Sequence, residues 1–180
     1  MAQATAVSGY GLSAVGWFSA CGLPLELSDR SDARAYLEAL SMPPTTRIEP
    51  VASWEHAERI IRHPSWDKSW WDREEVERGR LMRHCADRLG PTTALESLSL
   101  SAGIEHEVIH GAAAVAATRA GLADPALIRA AAGAASLAAH CHALAKLGAE
   151  ADTHVFMRKF GLFQAGRWPL GVVGGALHLF

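Results

Sequence analysis

The chain has 180 residues, 49% hydrophobic and 20% charged, long enough to bury one core unaided as a single domain. A formal net charge of -2, with 17 Lys and Arg scattered along the chain, offers no basic field to a phosphate backbone and argues against nucleic acid as a partner. Cys21, Cys85 and Cys141 stand far apart without CxxC spacing, which excludes a thiolate zinc knuckle and a disulfide framework and fits a reducing, cytoplasmic setting.

Residues 1–25 are mildly apolar but lack a Lys/Arg head and are broken by Gly9, Gly11, Gly16 and Gly22. They predict one short helix near residues 12–21 and no signal peptide. No run of about 18 apolar residues occurs elsewhere, so no membrane span is expected. Ser28 to Asp32 offer N-caps for a helix over 33–40, which Pro43 and Pro44 stop. Residues 45–51 read as a connector with slight strand character, too short and isolated to argue for a sheet.

Ser53 caps a helix over 54–62 with Trp54, Ala57, Ile60 and Ile61 inward, closed by His63-Pro64. The tryptophans Trp66, Trp70 and Trp71 lead into a charged helix over 68–89. Its Arg73, Glu74, Glu75, Arg78, Arg80 and Arg83 read as a solvated face, whereas Trp70, Glu77, Leu81 and His84 align as one stripe. Pro91 and Thr92 open the next helix, which Gly103 is expected to kink or divide before the central helix over 103–121. Asp124-Pro125 starts a helix over 126–147. Both of these last helices are Ala-rich nearly all round, which predicts burial at the centre of the bundle. A helix over 150–164 follows, with Val155, Phe156, Phe160 and Phe163 inward. The apolar tail RWPLGVVGGALHLF, 167–180, is expected to wrap the bundle or form an edge strand. The fold class expected is all-α: one bundle of five to seven helices.

The chemistry concentrates in GIEHEVIHGAAAVAATRAG. His106 and His110, four apart, lie about 40° from each other on a helical wheel, and Glu107 falls about 60° from His110. This is His-Glu-x-x-His spacing, in which two imidazoles hold a metal and the Glu acts as general base on bound water. Each side chain could instead satisfy itself on a backbone carbonyl. A metal needs a third ligand, and His140 and His84 are the candidates. His140 shares a stripe with Arg129, Gly133 and Ser136, whereas His142 lies about 200° away from it and groups with Lys146. His84 has Glu77 as its stripe neighbour, either a further ligand or the group that orients the ring. Counted differently, Glu107 and His110 form Glu-x-x-His, as in di-iron carboxylate bundles, with Glu77/His84 or Glu150/His154 as the second half at a different spacing.

Three features count for less. The tail glycines Gly171, Gly174 and Gly175 precede no helix that could hold a phosphate. The tryptophan group could stack on a ligand, though packing into the core is the commoner use. Cys85 beside His84 and Cys141 between two His point away from those neighbours and read as spectator thiols.

His106, His110 and Gly111, with His84 in LMRHCAD, resemble the helical-bundle metal-dependent enzymes of the DinB/YfiT type. That family ends a helix with His-x-x-x-His-(Arg)-Gly and takes a third His from an earlier helix. The resemblance implies a divalent metal on three His serving thiol-dependent or hydrolytic chemistry. The chain departs from it in lacking the Arg and Gln around the glycine and in the seventy or so residues that follow.

The expectation is therefore a small metal-dependent enzyme of a helical bundle. Zinc, iron or manganese would sit on His106, His110 and either His140 or His84, with Glu107 as acid/base toward a small, partly apolar substrate. An oxygen-activating di-metal oxidoreductase using Glu107/His110 with Glu77/His84 is the alternative enzyme. A non-catalytic helical adaptor is the alternative of another class. The apolar tail fits either a homodimer or packing onto its own bundle.

Overall fold

The computed structural model describes residues 15–180, with residues 94–106 as backbone alone. Six helices and a three-stranded sheet follow in the order α1 (Leu27–Ala39), β1 (Arg47–Pro50), α2 (Trp54–Ile61), α3 (Lys68–Leu89), α4 (Pro91–Arg119), α5 (Pro125–Leu147), α6 (Val155–Gln164), β2 (Pro169–Val173) and β3 (Ala176–Leu179). The predicted helix over 12–21 falls partly outside the described residues; within them, 17–22 form turns.

Short polar side chains set three of the six helix starts, at Ser53 and Asp124 as the sequence indicates and at Asp67 besides. Ser53 accepts from the His56 amide at 3.2 Å, Asp67 from the Ser69 amide at 2.9 Å and Asp124 from the Ala126 amide at 2.8 Å. The first helix begins earlier than the expected residue 33. Glu26 is its N-cap, and the Asp29 carboxylate accepts from the Glu26 amide at 2.8 Å in a capping box, so Asp29 lies inside the first turn. The last helix begins later than the expected residue 150, at Val155, because the His154 ring caps it by accepting from the Phe156 amide. Gly103 does not divide α4, which runs unbroken; the joint is Gly90, whose φ of 85° turns the chain between α3 and α4.

The all-α expectation needs correction to a mostly helical fold with a small sheet. Strand order is β1-β3-β2, with β1 parallel to β3 and β2 antiparallel to it. Residues 45–51 carry no local sign of a sheet because their partner lies far downstream, Arg47 pairing with Ala176. The tail glycines serve this sheet. Gly174 and Gly175, at φ 59° and 74°, make the hairpin turn. Gly171, at φ 146°, marks a register irregularity where a Cβ would come within 2.4 Å of the Trp66 ring. The tail thus packs on its own bundle, every residue of β2 being buried.

Two buried clusters meet along α6. Phe160 and Phe163 enter one with Trp17, Trp54, Trp168 and α5 alanines, while Phe156 and Leu162 enter the other with Tyr36, Trp70, Leu81 and Leu177. Trp66 packs against both. Of the two Ala-rich helices, α5 lies centrally and buries ten residues, whereas central burial of α4 needs correction. Along α4, Ile109, Ala113 and Ala117 are buried but Val115 is 51% exposed, and Gly133 of α5 faces solvent. Alanine carries so little surface that a helix apolar all round need not be covered all round.

The N-terminal turns are held by one cation. Arg167 is 3% exposed and donates to the carbonyls of Ala20, Leu23 and Pro24 and to the Asp29 carboxylate, the last at 2.7 Å. Replacing Arg167 by Met leaves that carboxylate buried without its counterion, and urea denaturation should show a loss of about 3–5 kcal/mol.

Candidate functional site

The predicted metal ligands occupy different levels of the bundle. The His106 side chain lies outside the described residues. Glu107 and His110 are exposed on α4. His84 is on the outer side of α3, its Nε2 3.1 Å from the Gly148 carbonyl at the far end of α5. Because α4 and α5 form a hairpin through 120–124 and His84 packs at the opposite end of α5, His110 and His84 stand about 20 Å apart along the axis. His140 is half-buried on α5; burial, then the nearby Arg78 guanidinium, lowers its pKa. Among the described residues, no three His, Cys, Asp or Glu side chains gather in a metal-binding arrangement.

Glu77, Glu150 and His154, the substitutes for a second Glu-x-x-His, do converge, but around a guanidinium. Arg80 Nε lies 2.9 Å from Glu77, and its Nη2 lies 3.7 Å from Glu150 and 3.3 Å from the His154 ring. Both carboxylates and the His154 ring thus face the Arg80 guanidinium.

A different group of polar side chains is buried together. Glu74 and Lys159, 4% and 6% exposed, form an ion pair with Nζ 2.6 Å from Oε2. Tyr36 donates to the other carboxylate oxygen at 2.5 Å, and Trp70 Nε1 donates to the Tyr36 oxygen at 2.8 Å. The ammonium also lies 5.4 Å from the Trp70 ring centroid. Burial first, then the Glu74 carboxylate, holds the Tyr36 phenol far above its ordinary range, so it stays protonated and donates. Four residues from α1, α3 and α6 thus form one connected array in which the carboxylate accepts two strong hydrogen bonds.

This array borders a cavity of about 350 Å³. Trp66, Trp70 and Trp71 wall one side, Ala130, Gly133, Ala134 and Leu137 of α5 another, and Trp168 to Leu170 the third, with Lys159 contributing to the lining. Trp66 is fixed by its Nε1 donating to the Ile60 carbonyl at 2.9 Å and by the missing Cβ of Gly171, while Trp71 is 44% exposed at the rim. Trp70 is thus core, the commoner use the sequence allows, whereas Trp71 is exposed at the rim. A larger hollow of about 490 Å³ lies between α4 and residues 15–21, but its rim includes Val15, where the described chain begins.

Sequence reasoning missed Glu74, Lys159 and Tyr36. Glu74 was grouped with a solvated face, but the buried side of α3 is Trp70, Glu74, Leu81 and Cys85, rotated by about 40° from the expected stripe through Glu77 and His84. A signal existed in Lys159, which stands beside Phe160 and three residues after Phe156 on an otherwise inward face. The cysteines behave as spectators: burial raises all three thiols, Cys21 and Cys141 to about 12.

Comparison with protein-family models, curated proteins and solved structures returns no match. No helix among the described residues is long and apolar enough to cross a membrane.

His142 gives this region a pH dependence. Its ring stacks on Phe160 at 4.1 Å, and burial, reinforced by Lys146, lowers it from 6.5 to about 4. Between those values the unfolded chain binds a proton that the native chain refuses. Stability is therefore full above about 6.5 and is lost as pH falls toward about 4. Urea denaturation across that interval should show the decline. His142→Phe should flatten part of it, the remainder coming from His140, His154 and His178, which are lowered likewise.

Proposed function

We propose that this protein binds a small, flat, largely apolar molecule in the tryptophan-walled cavity between α3, α5 and β2. The observation that carries this reading is the cavity's composition: aromatic and small side chains on three sides with one charged group, Lys159, among its lining. Ligand sites commonly combine an apolar wall with a few placed polar groups in volumes of about 300–1,000 Å³. Flat aromatic rings favour a flat guest, since offset or edge-on ring pairs contribute about 0.5–1.5 kcal/mol each beyond area burial. The small residues on α5 leave room for it. The guest would be a substrate if the protein is an enzyme, and the small, partly apolar substrate expected from the sequence fits the same space.

Gly133 supplies a clean test. A Cβ built on it meets nothing within 4 Å, yet it borders the cavity. Gly133→Leu should fill the space while improving helix propensity by about 0.5–1 kcal/mol. Calorimetric titration with indole should show binding to the native chain and at least tenfold weaker binding to the variant, whose melting temperature stays level or rises. Equal affinity in the two proteins would sink the reading.

The metal-dependent reading rests on a separate observation: His106 and His110 lie one turn apart on an unbroken α4. A cation there would be surface-bound and would complete its shell from groups other than His84. Elemental analysis of protein purified without an affinity tag should then give near-stoichiometric zinc, iron or manganese, lost in His106→Ala/His110→Ala. Metal retained by that variant, or no metal in the native chain, rejects this reading.

A further inference from the structure

We infer that the tryptophan cavity selects molecules whose polar end is a hydrogen-bond acceptor, a carbonyl or carboxylate, and rejects those whose polar end is a cation. The inference rests on the binding role proposed above and adds the charge class of the guest. Three tryptophans in contact, Trp66 with Trp70 at 6.0 Å and Trp70 with Trp71 at 6.2 Å, would by themselves suit an organic cation, which aromatic faces attract. Two observations reverse that preference. First, the Trp70 ring already has the Lys159 ammonium as its neighbour. Second, the ion pair is oriented. Lys159 borders both the cavity and the narrow cleft beyond it, whereas Glu74 borders only that cleft. Of the two partners, the cavity therefore meets Lys159 and not Glu74.

At the half-buried wall of such a cavity charge interactions exceed those in bulk water, although solvent at the rim screens them in part. An ammonium has three N–H donors, and Glu74 accepts from Lys159 through one oxygen at 2.6 Å. A guest's oxygen could accept another donor, whereas a cationic guest would meet like charge with no carboxylate in the wall to offset it. Glu74 behind the ammonium reduces its field without reversing it, so neutral and anionic acceptors belong to the same class.

The test uses one ring with three polar ends: indole-3-acetamide, indole-3-acetate and tryptamine, titrated calorimetrically into the full chain near neutral pH. The acetamide and the acetate should each bind at least tenfold more tightly than tryptamine. Tighter binding of the acetate identifies an anionic guest, and equal or tighter binding of the acetamide identifies a neutral one. Either order supports the inference. Tryptamine binding as tightly as the other two overturns it while leaving the cavity a binding site. Binding by none of the three overturns both. In Lys159→Met/Glu74→Leu, which replaces the pair by apolar groups of similar size, the preference should fall to within about twofold. The native-chain series decides the matter even if that variant does not fold.

Discussion

Removing an ammonium and a carboxylate from water costs several kcal/mol per ion before anything is gained, and Lys159 and Glu74 meet that cost between α6 and α3. Their attraction alone would not repay it. The Tyr36 hydroxyl satisfies the second carboxylate oxygen, Trp70 satisfies Tyr36, and the Trp70 ring flanks the ammonium. With α1, α3 and α6 all committed to one array, a slip of any helix along its axis would leave a buried charge bare. The array thus ties together one particular face of each of the three helices.

The same array sets the character of the neighbouring cavity. Trp70 is at once a hydrogen-bond donor to Tyr36, a neighbour of the ammonium and a wall of the cavity. Trp66 is held by a backbone carbonyl on one side and by the bare backbone of Gly171 on the other. A wall made of side chains tied down elsewhere is preorganised, so a guest would lose little affinity to ordering it.

Helix existence was legible in the sequence wherever an N-cap preceded an apolar period, as at Ser53 and Asp124. What escaped was non-local. The partner of 47–50 lies near the other end of the chain, so nothing around those residues marks them as a strand. On α3, arginines and glutamates surround Glu74, and an error of about 40° in the helical wheel was enough to move it from the core to the surface. The imidazoles misled for a related reason. Spacing within one helix is visible in a sequence, but the levels at which His84 and His140 stand relative to His110 depend on how α3, α4 and α5 pack.

In the sheet, β3 is the last of the three strands in sequence order and yet the middle one, with β1 depending on it for pairing. As the polypeptide emerges from the ribosome, Arg47 to Pro50 must wait for Ala176 to Leu179, with both hydrogen-bonding edges of that early segment open in the interval. Closing so long a loop is slow compared with helix formation. Long-range closure of this kind delays completion of the sheet, and the tryptophan cavity has its β2 side only once residues 169–179 are in place.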